Sequence, residues 1–177
     1  MSQTMSIATI QRVTVRYEEH EDRLQLATED SEGNVLALWL TQRLTNRLVA
    51  VLLARLAKAT AGHSDASTRA TMQAWEQSAA YAQHSPQPPV QSKGPVTQTL
   101  ITSVDISDED GLFRLVLRWP DDNAVVLPLD STALRQWLGI VYGHYRQAEW
   151  PCDGLWPDWV SAHDQPAPTG AAALSLH

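Results

Sequence analysis

From Ile7 onward the chain alternates apolar and polar positions, with Val13, Val15 and Tyr17 on one face, the period of a half-buried strand. The acidic run Glu18-Glu19-His20-Glu21-Asp22 interrupts that period, and Leu24 and Leu26 mark a second strand. Ser31-Glu32-Gly33-Asn34 supplies the Gly and Asn that a tight turn needs for positive φ. A third strand runs from Val35 to Leu40, with Leu36, Leu38 and Leu40 on one side and Val35, Ala37 and Trp39 on the other, so both of its faces need cover. The period then lengthens. Thr41 can cap a helix whose Leu44, Leu48, Val51, Leu52 and Leu56 recur every three or four residues, the stripe of a helix laid on a sheet.

The same order returns further along the chain. At an offset of 89 residues, Val15 falls on Val104, Tyr17 on Ile106, Leu24 on Phe113, Leu26 on Leu115, Leu36 on Val125, Leu38 on Leu127 and Leu40 on Leu129. One inserted residue, an offset of 90, matches Thr41 with Ser131, Leu44 with Leu134, Leu48 with Leu138 and Val51 with Val141. The pattern therefore predicts an α+β protein made of two tandem β-β-β-α units, residues 7–60 and 96–150. They are expected to form a β-sandwich or one joined antiparallel sheet, with two packed helices in pseudo-twofold relation.

Between the units, residues 61–95 place Met72, Trp75 and Ala79 at helical spacing and then Ser85-Pro86-Gln87-Pro88-Pro89, which forbids further helix. A short helix and a flexible crossing are expected there. Pro151 stops the second long helix, a Trp- and Pro-rich segment fills 151–164, and 165–177 is a tail too poor in large apolar groups to order itself. The chain of 177 residues is 44% hydrophobic and suits one compact domain.

Charge narrows the classes of partner. A formal charge of −7 and a pI near 5.2 disfavour phosphate backbones, so nucleic acid is an unlikely partner unless Arg12, Arg16, Arg43, Arg47 and Arg55 share one face. A single cysteine, Cys152, cannot close an intramolecular disulfide and suits a reducing, cytoplasmic setting. The first residues carry no signal-peptide pattern, and Leu44 to Leu56, the most apolar stretch, is broken by Asn46, Arg47 and Arg55, well short of the roughly 20 residues of a membrane span.

No phosphate loop, nucleophile elbow or Cys-x-x-Cys pair is present, and the six histidines show no His-x-x-x-His spacing. No catalytic residue, metal ligand or cofactor is assigned. His144, beside Tyr142 and Tyr145, reads as a satisfied boundary imidazole, and the acidic bends read as solvated hairpin tips. The distinctive stretch is Trp150-Pro151-Cys152-Asp153-Gly154-Leu155-Trp156-Pro157-Asp158-Trp159. Trp150, Leu155, Trp156 and Trp159 either plug the apolar end of the protein's own sheet or anchor a partner, the role in which Trp is favoured at interfaces.

The wording Leu38-Trp39-Leu40-Thr41-Gln42-Arg43-Leu44 ahead of an amphipathic helix resembles an uncharacterised group of proteobacterial proteins, which implies no activity. Over residues 7–148, the order of three strands, helical crossing, three strands and helix is similar to the head domains of double-strand-break end-joining scaffolds and of the centriolar cartwheel protein. That resemblance implies a dimerising assembly module. Pro151 departs from it, since those heads continue into a coiled coil. The expected function is non-enzymatic protein–protein interaction or assembly, as a scaffold or adaptor binding a protein partner or itself as a homodimer. The alternative is a small-ligand binder or enzyme with a site between the units.

Overall fold

The computed structural model describes residues 7–62, 65–161 and 173–176. Strands β1 (Ala8–Glu18), β2 (Arg23–Asp30) and β3 (Val35–Thr41) lead into helix α1 (Gln42–Lys58). Helix α2 (Ala66–Gln83) follows, then β4 (Thr97–Leu100), β5 (Ser103–Glu109), β6 (Leu112–Trp119), β7 (Asn123–Asp130) and helix α3 (Ser131–Gln147). A single 3-10 turn at Asp158–Val160 and strand β8 (Ala173–Ser175) complete the described elements. The fold is α+β. Among the described residues, no helix is long and apolar enough to cross a membrane.

All eight strands belong to one sheet, ordered β4-β3-β2-β1-β7-β6-β5, with β8 paired to β1. The joined sheet is mixed, not antiparallel: β3 pairs β4 in parallel and β1 pairs β7 in parallel, while the hairpin neighbours are antiparallel. The two ends of this path are one run of chain. Only residues 101 and 102 separate β4 from β5, and the Ile101 amide donates to Trp39 on β3 (2.9 Å) while the Thr102 amide donates to Arg118 on β6 (2.8 Å). The sheet thus curls until it meets itself, which removes most of the free edge that an open sheet would expose.

Two parallel contacts carry the same register. Ala8 faces Val125 and Thr97 faces Leu36, and both members of the second pair lie 89 residues from their counterparts in the first. Alternate residues point inward and close the core with Leu24, Leu26, Leu38, Leu40, Leu115, Leu117, Leu127 and Leu129, all buried. Helices α1 and α3 add Leu48, Val49, Leu52 and Leu56, and Trp137, Leu138, Val141 and Tyr145, to that core.

The finer spacing differs from the one read off the sequence. The caps are Thr41, accepting from the Leu44 amide at 3.2 Å, and Asp130, accepting from the Ala133 amide at 2.7 Å, so the helix offset stays at 89. Leu52, not Val51, corresponds to the buried Val141, and Val51 is exposed. In the first strands the offset grows to 91. Val15 faces Leu26 and Ile106 faces Leu115, because the first hairpin bends through four residues and the second through two, Asp110-Gly111, both with positive φ. Alternation alone could not see a difference of two residues, which preserves face.

Outside the barrel the crossing segment acts as a cover. Val90 packs on Ala27 and Val35, its amide donates to Thr14 Oγ1 (2.9 Å), and Trp39 Nε1 donates to Gln98 (3.1 Å). The second face of β3 is thus covered by the chain itself.

Candidate interaction site

Three regions carry chemistry or surface worth weighing, and the Trp segment comes first. Trp150 and Trp156 are buried, at 5% and 8% exposure, and Leu155 and Trp159 are half-buried. Trp150 meets Tyr17 and Tyr145 edge to face, and Trp156 meets Tyr142 and Tyr145 likewise, with ring centroids 5.1 to 5.7 Å apart. Such pairs contribute about 0.5–1.5 kcal/mol each beyond area burial. The Trp150 indole N–H and the Tyr17 hydroxyl both donate to Asp22 at 2.8 Å, and these bonds hold the Asp22 carboxyl below its ordinary range. Asp22 is therefore more than a solvated hairpin tip, for it ties that hairpin to the Trp segment. Burial pushes the neighbouring Cys152 thiol up, away from a reactive thiolate.

The second region lies between the helices, and the sequence pattern inverted it. Helix α2 buries Gln73, Gln77 and Ala80, leaves Met72 half-buried, and turns Trp75 to solvent at 74% exposure. Gln73 donates to Leu56 O (2.9 Å) and Thr60 Oγ1 (3.2 Å) and accepts from Arg135 (2.7 Å). Gln77 donates to Arg135 O and Gln136 to Ala80 O, at 2.9 and 2.8 Å. Arg135, 3% exposed, also lies 5.5 Å from the Trp159 ring centroid, and burial lowers its pKa. A Cβ on Gly139 would collide with the Tyr81 ring of α2, which would have to shift to admit any larger residue there. These hydrogen bonds hold α2 against α1 and α3. Beside them, an open groove of about 360 Å³ is lined by Ala57, Thr60, Arg69, Gln73 and Trp159.

The third region is the pair of seams where β1 leaves β7 and where the chain, passing from β4 into β5, leaves β3. At the first, β8 adds to the edge of β1 in antiparallel register: Val13 faces Leu174, and the Leu176 amide donates to Gln11 O at 2.9 Å. The tail, expected to stay unordered, here contributes Leu174 and Leu176 to the core, at 3% and 7% exposure; residues 165–172 and 177 lie outside the described residues. One step further, Val15 O meets His144 Nε2 at 3.0 Å. Burial pulls the His144 pKa down, and the neutral ring also has the Gln147 carboxamide 3.0 Å from Nδ1.

At the second seam, Arg55 takes the place of His144, from which it is 89 residues removed. It donates to Ile106 O at 3.2 Å and pairs with Asp108 at 3.0 Å. No described strand adds to β5 on that side. Val13, beside β8, and Val15, beneath His144, are buried, whereas Val104 and Ile106, 91 residues further on, are half-exposed. Nothing in a sequence pattern distinguishes these two edges, because the difference arises from where a distant tail docks.

The remaining candidates from the sequence are dispersed. Arg12 and Arg55, two of the five arginines a nucleic-acid face would need, are paired with Glu29 (3.4 Å) and Asp108. Among the described residues, no group of three or more His, Cys, Asp or Glu side chains is placed to hold a metal ion. Comparison with protein-family models, with curated proteins and with solved structures finds no match.

Proposed function

We propose that the chain is a duplicated β-β-β-α unit closed about a pseudo-twofold axis and that it works as a non-enzymatic interaction or assembly module. In this reading it binds polypeptide, from a partner or a second copy, in a reducing cytoplasmic setting suited to its lone half-buried thiol. The observation that carries the reading is β8, the extended Ala-Leu-Ser segment held by edge addition on β1 and followed by Leu176, whose amide donates to Gln11. Strand addition uses main-chain hydrogen bonds for affinity and pockets for alternate side chains for selectivity. The duplication is supported by the repeated register, the shared helix offset and the exchange of clamps: α1 reaches the first strand of the second unit, and α3 reaches the first strand of the first unit.

The test displaces the tail. In a Leu174→Asp/Leu176→Asp chain, the Val13 amide is expected to exchange at least about tenfold faster with solvent, as a hydrogen bond that opens easily does. Added peptide of residues 171–177 should slow it again. An unchanged Val13 amide in the folded double variant would contradict edge recognition as the function of the barrel.

A further inference from the structure

We infer that the open seam along β5 is a docking site for an extended segment of another protein that carries apolar side chains at alternate positions. The inference rests on the duplication reading above and deepens it by naming the site and its occupant. In the filled seam, Gln11 O takes a hydrogen bond from β8 and Val15 O takes one from His144, so the backbone groups of residues 11, 13 and 15 all face that seam. By the same alternation, Ile106 O, taken by Arg55, shows that the amide and carbonyl of Val104 face the open seam.

The occupant's chemistry follows from the occupant already seen. Leu174 sits opposite Val13 with its side chain in the core, so the residue opposite Val104 should be a leucine or similar, with another two positions away. The outward side of β5 presents Ser103, Asp105 and Ser107, all exposed, with Asp105 already paired to Arg118, and suits polar uncharged residues in between. A tail lent by a second copy does not complete the set, because β8 lent to a neighbour's β5 leaves the lender's own β1 seam empty. A foreign segment fills β5 and leaves β8 on β1.

The probe is a synthetic peptide with the sequence of residues 171–177, Ala-Ala-Ala-Leu-Ser-Leu-His, titrated onto the isotope-labelled full chain. Saturable, one-to-one perturbation of the Val104 and Ile106 amide signals is expected, and a peptide with both leucines replaced by serine should leave them unmoved. Val104→Pro removes the seam-facing N–H without touching the ladder to β6, and should abolish the response. If that chain does not fold, Val104→Asp places a charge where the apolar contact forms and should do the same. Perturbation confined to residues 11–15, or none up to the solubility limit, would overturn the inference while leaving the tail-displacement result standing. Protection of Val104 in the chain alone, rising with its concentration, would also overturn it by assigning the seam to a second copy.

Discussion

At each of two seams of the sheet a helix side chain meets an outward strand carbonyl, and the two seams are finished differently. Beside β1, the tail supplies a strand and two buried leucines, and His144 closes the next carbonyl; beside β5, Arg55 closes the equivalent carbonyl and no described strand follows. The comparison separates what a fold needs from what it can spare. Val13 is covered by an extra strand, yet Val104 and Ile106 stay half-exposed without loss of the pairing between β5 and β6. An edge left open with apolar residues beside it is a liability in a protein without use for it.

The likeness of the halves can be broken most forcefully at the helices. If the offset of 89 is right, Leu52 is the counterpart of Val141, and Leu52→Ala should cost about 2–5 kcal/mol as a fully buried leucine does. Val51→Ala, at the exposed neighbour that a shift of one residue would put in the core, should stay within about 0.5 kcal/mol. Urea unfolding of the two variants reads the difference. Equal losses would contradict the assigned phase of α1.

A smaller effect sharpens the contrast between the clamps. Burial depresses the His144 pKa in the folded state, so below the unfolded value of about 6.5 the unfolded chain binds more protons than the native one. Stability is therefore whole above that pH and falls as pH drops through the window beneath it, with a slope of at most about 1.4 kcal/mol per pH unit from this group. His84 is also depressed by burial, so the readout is the difference between the parent and His144→Gln, whose stability should depend less steeply on pH. An identical slope in both would contradict a neutral, buried imidazole on Val15 O.

Much of the sheet was legible because local pattern and burial agree. Leu36, Leu38 and Leu40 followed by the Thr41 cap fix the end of β3 and the start of α1, and the Asp110-Gly111 turn between alternating runs announces the second hairpin. The rest depended on partners distant in sequence. Gln73 and Gln77 are polar by pattern, and only hydrogen bonds to Arg135 and the Leu56 carbonyl turn them inward, which is why the buried face of α2 lies away from Trp75 and Ala79. Strands β4 and β8 are four and three residues long, too short for periodicity to register, and each exists only because an edge is waiting for it. The Trp segment stood out by composition, but only the Asp22 carboxylate and the Tyr145 ring explain why Trp150 is turned inward.

The central proposal is that β8 occupies the β1 edge while the β5 edge, beside which no described strand lies, is free to be filled, and amide hydrogen exchange on the full chain reads both at once. The Val13 amide, facing β8, should exchange at least about tenfold more slowly than the Val104 amide, beside which no described strand lies. Equal protection of Val13 and Val104 in the dilute monomer would contradict it.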